Sequence, residues 1–431
     1  MELAHTACSA CWINETLQQA HEASRLTTFY RYLSCLLRHR MVTIGAGEQP
    51  EAGALATLLP ISSSFKHSWV TIQQDHCYRL SRFAYLRRDG DASYLESPLA
   101  HARLRLEQAL AAAIVYLLGK PLTPGELTLR ASAQEQEQVM GMLTLLVMGN
   151  FVSLTTAEGQ ASIESDEVSR HWDFHDLVFH SRSRVGRHAN ELGGTYPFLS
   201  HVPPQPLVKQ ASRPGAIALF RPDVEQLRTQ DPGLTAVLEE RTSIREYGRT
   251  PLTVAQLGEF LYRVARVKKI CDGGETGEYT QRPYPGAGAS YEMELYLTIE
   301  QCQGLAAGFY WYNPLEHTLS LLHEPNHETR QLLFDANLAM GGPDRPQVLI
   351  TLAARFQRVS WKYQSLAYSL ILKDVGVIYA TMYLVATAMH LAPCALGAGD
   401  SDLFPRLSGT DYLAETSVGE FMLGSRPAPG E

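Results

Sequence analysis

Cysteine is scarce in this chain: seven residues spread over 431, an odd number. That count excludes a closed disulfide framework and fits a reducing cytoplasm. Cys8 and Cys11 form a Cys-x-x-Cys, but no second pair follows at zinc-finger spacing, so they stay unassigned. Charge is also sparse, at 19% of residues against 45% hydrophobic, which is the balance of a globular protein. With 37 Lys and Arg against 45 Asp and Glu, the net charge is −8. A general nucleic-acid binder needs an excess of cations to displace counterions, and this chain has the opposite. No basic segment followed by an apolar run opens the sequence, which argues against secretion. Long oily runs are missing too, with one exception: the eighteen residues from Val375 to Ala392 contain no Asp, Glu, Lys or Arg. Tyr379, Thr381, Tyr383, Thr387 and His390 interrupt that run, so it reads as a central core or subunit-interface helix rather than a membrane span.

The length exceeds what one ordinary core accommodates and implies two or three domains. Pro203, Pro204, Pro206, Pro214 and Pro222 punctuate a stretch without helical period, which reads as an extended linker. Before it the pattern is one of small units. Residues 12–39 read as a helix, residues 78–96 as a hairpin around Arg88-Asp89-Gly90-Asp91, residues 101–118 and 134–149 as helices, and Phe151 to Leu154 as a returning strand. Small helices with a hairpin make a winged-helix pattern over 76–167, and residues 1–75 resemble a second, eroded copy. The basic recognition face that DNA binding requires is missing, which leaves a peptide-binding role open. Residues 168–222 then form a connecting helix and the Pro-rich linker. His171 and His175 fall at i, i+4 spacing there, but without an intervening Glu and amid Phe174, Leu177 and Val178 a structural helix is favoured over a metal site.

From 223 to 431 strands and helices alternate: strands over 292–299, 348–353 and 418–424, with a helix over about 365–391, an α/β or α+β domain. Leu234 to Glu240 is expected to be helical, and Thr253 with Gln256 three residues on forms a capping box for the next helix. Between these helices lies Arg241-Thr242-Ser243-Ile244-Arg245. A helix C-terminus repels anions, so a phosphate held there depends on the arginine forks and the serine hydroxyl. The alternative is that Arg241 and Arg245 pair with Glu239, Glu240 or Glu246 on a solvated face. Pro285-Gly286-Ala287-Gly288 precedes a strand and lacks a third glycine, so it is no dinucleotide fingerprint; its small residues let backbone approach a flat ring. The polar, Gly-rich stretch Lys268–Arg282 reads as a mobile loop, either bordering a substrate entrance or a plain surface insertion.

Jointly, Trp172 to Arg187, Arg241 to Gly248, Pro285 to Tyr296, Gly308 to Asn313, Trp361-Lys362-Tyr363, Lys373 to Gly376 and Leu391 to Asp400 resemble the nitroreductase-like flavin enzymes. Within them the chain resembles the SagB/ThcOx group of azoline dehydrogenases over about residues 170–431. The resemblance implies an α+β domain with a mixed sheet flanked by helices, dimeric, binding FMN. It places the phosphate on Arg241, Ser243 and Arg245 with Arg426 as a further contact, and the ring against Pro285, Gly286, Ala287 and Gly288, with Leu396, Gly397 and Ala398 approaching from another side. Related loops often carry serine where Gly286 stands.

Lys362 and Tyr363 are the pair that the resemblance ties to azoline oxidation, which removes a proton and a hydride from a thiazoline or oxazoline. Tyrosine and lysine each have an unperturbed pKa of about 10, so each needs a neighbour to act as a base near neutrality. Tyr363 is assigned as base with Lys362 tuning it, and the two roles are exchangeable; otherwise the pair is simply an amphipathic helix entrance. The resemblance further implies dioxygen as final acceptor, a precursor or carrier-bound peptide as substrate, a homodimer, and association with a cyclodehydratase. Two rivals stand beside this reading: an NAD(P)H-dependent nitro- or quinone reductase, and a non-catalytic flavin-bearing peptide scaffold.

Overall fold

The computed structural model describes residues 23–39, 41–46, 53–68, 70–132, 135–155, 167–209, 211–274, 277–342 and 346–428. Cys8, Cys11 and the start of the expected first helix lie outside them. The chain forms two compact units, Met1–Leu192 and Gly193–Glu431.

In the first unit, α1 (Ala23–Arg38) leads into β1 (Ile44–Ala46) and β2 (Ala56–Pro60), followed by β3 (Cys77–Leu80), β4 (Tyr85–Asp89), β5 (Ala92–Glu96) and β6 (Ala102–Leu106). Then come α2 (Ala109–Leu117), α3 (Pro124–Thr128), α4 (Gln136–Met148), β7 (Val152–Thr155), α5 (Glu167–Arg170) and α6 (Phe174–Arg182). The hairpin forms where expected, with Gly90 at φ +59° in its turn and Asp89 paired to Ala92. It does not stand alone as a wing: it belongs to a five-stranded sheet of order β1-β2-β6-β5-β4. Strands from both sides of residue 75, where the sequence suggests a boundary, share this sheet, and Leu37, Leu55 and Leu58 share one core with Ile114 and Leu143. Residues 102–106, expected to open a helix, form a strand because Ala102, Leu104 and Leu106 alternate with arginines at period two. His171 precedes α6 rather than lying on it, and its ring nitrogen Nδ1 lies 2.7 Å from the Glu167 carbonyl. Glu96 is buried where Arg87, Arg182 and Tyr85 meet; burial pushes its carboxyl up, but the two arginines outweigh that and hold it below the usual range.

The second unit is an α+β fold on a seven-stranded sheet of order β15-β16-β14-β11-β12-β13-β8. These are β8 (Ile217–Ala218), β11 (Met293–Ile299), β12 (Gly308–Asn313), β13 (Thr318–His323), β14 (Val348–Arg355), β15 (Leu391–Leu396) and β16 (Glu415–Ser425). All its pairings are antiparallel, so the expected mixed sheet is corrected: strand direction depends on how connections close in space, which strand patterning does not encode. β11 and β14 are buried along their whole lengths. The helices are α7 (Val224–Gln230), α8 (Leu234–Glu240), α9 (Val254–Ala265), α10 (His327–Met340), α11 (Phe356–Ser360), α12 (Ala367–Ala388) and α13 (Leu403–Ser408). The Thr253–Gln256 capping box forms in full at the start of α9, a contribution of about 1 kcal/mol. α12 is long and apolar enough to cross a membrane by length and composition alone. Here Ile371, Val375, Ile378, Met382 and Ala386 turn one stripe into the core, while Tyr368 and Leu372 face outward. It is therefore buried on one side only, not nearly all round.

Two other expectations change. The stretch 268–282 is not a loop but a ribbon of β9 (Lys269–Cys271) paired with β10 (Tyr279–Gln281). The proline-rich segment is extended, but it is anchored to the second unit. Val202 O accepts from Trp361 Nε1 at 2.7 Å, Pro206 O from Arg355 Nη2 at 2.9 Å, and Gln205 O from Arg358 Nη1 at 2.6 Å. It is a strap laid on the sheet domain.

Candidate functional site

The lysine–tyrosine pair follows α11, and the strap holds it in place. Tyr196 N–H donates to Lys362 O at 3.1 Å, Gln364 N–H to Gly193 O at 3.0 Å, and the Tyr196 ring meets Trp361 edge-on at 5.7 Å. Lys362 Nζ donates to Gly288 O at 3.2 Å and lies 5.4 Å from the Tyr363 ring centre. Tyr363 reaches the same residue: a Cβ built on Gly288 would fall 2.2 Å from its hydroxyl oxygen and 2.7 Å from Lys362 Nζ. Gly288 has φ +55°, the left-handed region that favours glycine, and a side chain there would have to push the ends of Tyr363 and Lys362 aside. At Gly286 a Cβ would come 3.3 Å from Tyr291 Cδ1, so the serine common in related loops would press on that ring. Ala287 N–H donates to Asp374 Oδ2 at 2.9 Å, and Pro285 is exposed.

Sequence reasoning missed what lies beneath this loop. Both carboxylate oxygens of Glu292 are buried against the Asp374 carboxylate, and the two share a hydrogen bond when Glu292 is protonated. Burial first, and then the neighbouring Asp374 carboxylate, pushes Glu292 up to about 8. Arg358 donates to Ser290 O at 2.6 Å, and burial followed by Arg355 and Arg282 brings its guanidinium down to about 10. The only sequence signal was the Glu-x-Glu of Glu292 and Glu294 at the edge of an apolar strand, which reads as a solvent face until the strand is found buried. A cavity of about 730 Å³, of ligand size, opens here. The strap (Pro204, Pro206), the ribbon (Ile270, Tyr279), Gly288 and Lys362 line it.

The arginine motif sits at the other end of α12. Ser243 Oγ lies 2.8 Å from Tyr383 Oη, which accepts the Ala395 N–H at 2.8 Å. With the tyrosyl proton given to Ser243, the serine O–H is left to donate to an anion. The Arg241 guanidinium carbon is 5.4 Å from the Tyr383 ring centre. Ile244 N–H donates to Pro393 O at 2.9 Å and Gly248 N–H to Ser425 O at 3.1 Å, which brings the motif to β15 and to the strand end carrying Arg426. Arg241, Arg245 and Arg426 are exposed, and among the described residues none is ion-paired, so pairing with Glu239, Glu240 or Glu246 is not what holds them. Leu396 buries its side chain in the core, whereas Gly397 and Ala398 are exposed, and a Cβ on Gly397 would meet nothing within 4 Å. Among the described residues no hydrogen bond links Leu396, Gly397 or Ala398 to Lys362, Tyr363 or Gly288. Asp374 at the loop end and Tyr383 at the arginine end are nine positions apart on α12, ~14 Å along the axis at helical rise.

Comparison with known proteins adds to this geometry. Residues 238–424 match the nitroreductase family profile, and residues 78–189 match that of the cyanobactin oxidase ThcOx. The second match begins well before residue 170, inside the region that reads as small modules. A candidate nitroreductase of Methanocaldococcus jannaschii is 31% identical over 179 residues, covering 41% of this chain and 82% of that protein. Among solved structures, a protein of the Escherichia coli microcin synthetase McbBCD complex, solved with truncated pro-MccB17 bound, is 18% identical, with 64% of this chain and 100% of that one covered and a TM-score of 0.36. A candidate nitroreductase of Desulfovibrio desulfuricans in complex with FMN is 13% identical, with 46% and 88% covered and a TM-score of 0.31.

Proposed function

The chain is an oxidoreductase that belongs to the nitroreductase family, and we propose that it oxidises thiazoline or oxazoline rings of a peptide to the aromatic azoles, using FMN. The observation that carries this reading is the convergence of Lys362 and Tyr363 on Gly288 at the edge of a ligand-sized cavity. The residues present fit the cofactor. Among the described residues, three arginines without ion-pair partners and Ser243 supply donors suited to a terminal phosphate, and the small residues Gly286, Ala287 and Gly288 let backbone approach a flat ring. When bound, FMN supplies the two-electron acceptor for the hydride, with dioxygen as final oxidant.

The protein's own groups carry the proton. Tyr363 takes it from the ring carbon, and Lys362, fixed on the Gly288 carbonyl, orients the tyrosine; the two roles are exchangeable. Asp374 holds Ala287 by its N–H and so sets the loop on which both side chains close. The ThcOx match over 78–189 supports a peptide role for the first unit, which we assign to substrate recognition alongside a cyclodehydratase partner. A second copy of the chain covers the outward apolar side of α12 in this reading.

Mass spectrometry of an azoline peptide incubated with flavin-loaded protein tests the proposal: a loss of two hydrogens per ring is expected. Tyr363→Phe should lower that rate roughly 10²- to 10⁴-fold with FMN still bound. Unchanged turnover removes the catalytic assignment, and rapid anaerobic flavin bleaching by NADPH counts in favour of a reductase instead.

A further inference from the structure

A second cavity, of about 330 Å³, lies on the same unit between α9 and the turn after β12. Arg221, Arg266 and Lys268 line it together with Tyr262, His317 and Leu315, and no carboxylate lines it among the described residues. Its cations are positioned but not neutralised. Arg221 Nη2 donates to Glu316 O at 2.6 Å, and Arg266 Nη1 donates to Tyr262 O at 2.8 Å with its guanidinium carbon 4.4 Å from the Tyr262 ring centre. Both hold backbone carbonyls and keep further N–H groups free. The Glu316 carboxylate accepts the Ser212 N–H at 3.3 Å. Among the described residues none of the three cations has an ion-pair partner. His317, fixed between Tyr312 Oη and Phe220 O at 2.9 Å each, feels the same field: burial lowers its pKa, and Arg221 and Arg266 lower it further.

This basic cavity adjoins the one at Lys362. Leu315 lines both, and the chain runs from Lys268 beside the first into β9, where Ile270 lies beside the second. We propose that it is an anion subsite of the peptide-binding surface, which takes a carboxylate, an acidic side chain or the chain terminus, of the same substrate whose ring lies at Lys362 and Tyr363. Arginine forks match a carboxylate with two parallel hydrogen bonds, and the shared wall at Leu315 favours a group covalently attached to the occupant of the neighbouring cavity over a free anion. An extended peptide advances ~3.3 Å per residue, so ring and acid are a few residues apart. The inference rests on the azoline-oxidase reading and names a feature of its substrate.

The test uses flavin-loaded full-length protein and fluorescein-labelled azoline peptides in matched pairs, Asp against Asn, with the substituted position stepped through about two to six residues on either side of the ring. Binding is read by anisotropy without turnover. At one spacing the Asp peptide should bind wild type on the order of tenfold more tightly. The Arg221→Gln, Arg266→Gln double variant should erase that preference and leave the Asn peptide unchanged, and Arg266→Lys with Arg221→Lys should restore part of it. A preference absent at every spacing, or one that survives the double variant, overturns the subsite. Inorganic phosphate that binds the protein with or without peptide, while Asp and Asn peptides bind alike, overturns the peptide assignment in favour of a free-anion site. Ring oxidation is scored in the same peptides by mass. Its absence beside an arginine-dependent Asp preference retires the oxidase reading and leaves the subsite standing.

Discussion

At the arginine end of the candidate site, Arg241, Arg245 and Arg426 lie exposed on loops, with no carboxylate partner among the described residues; at the lysine–tyrosine end, Glu292 and Asp374 are buried near the glycine loop on which Lys362 and Tyr363 close. Exposed guanidiniums cost the fold little and add little to it, so their removal should cost little stability. Buried carboxylates are expensive unless protonated or paired, so the second end carries a stability cost in exchange for fixed geometry. α12 joins the two, with Asp374 near one end and Tyr383 near the other. Changes at the first end should therefore alter affinity, and changes at the second should alter chemistry and stability.

The sharpest break of that comparison is Gly288→Ala. The new methyl displaces the Tyr363 hydroxyl and Lys362 Nζ, so kcat for ring oxidation should fall roughly 10³-fold with FMN retained. If FMN were lost instead, the division of labour would be wrong. Next comes the pair Arg241→Gln with Arg245→Gln, which should weaken FMN binding by about a hundredfold in equilibrium titration, with near-normal kcat at saturating FMN. Tyr383→Phe removes the hydroxyl shared by Ser243 and Ala395, and about a tenfold loss of FMN affinity is expected with the thermal midpoint little moved.

The smallest effect concerns Glu292, whose pKa rises from 4.5 to about 8 in the fold. The native state then binds a proton that the unfolded chain releases, so its stabilising contribution is complete below 4.5 and disappears as pH rises through about 8. The thermal midpoint of wild type should fall between pH 5 and 9, and Glu292→Gln should flatten that fall. Identical slopes would show that another group dominates the titration.

Legibility in the sequence followed the range of the interactions. The Asp-Gly hairpin, the Thr253 capping box, the Leu234–Glu240 helix and the buried strands all formed where local patterning placed them, because turn chemistry, capping and apolar runs act over a few residues. Residues 102–106 show the limit: five residues alternating at period two were absorbed into a longer helical reading, and only pairing with β2 separates them. The arginine motif, the glycine loop and Lys362-Tyr363 stood out because unusual residue types cluster within five or fewer positions. Tyr383 did not, since a tyrosine in an apolar helix looks like packing until Ser243, 140 positions away, comes within 2.8 Å.

By itself, then, the sequence determined the composition class, three helices and three strands of the second unit, including the buried strands at its centre, and the residue types available for phosphate and proton chemistry. Tertiary structure alone decided that the sheet is antiparallel, that the proline-rich segment is a strap on the second unit, that Lys362 and Tyr363 meet Gly288 some 75 positions upstream, and that Glu292 loses its contact with water. The physical reason is the same in each case. Strand direction, cavity walls and the solvation of a carboxylate are properties of neighbours brought together by chain closure, and the cost or gain of each contact exists only once its distant partner has arrived.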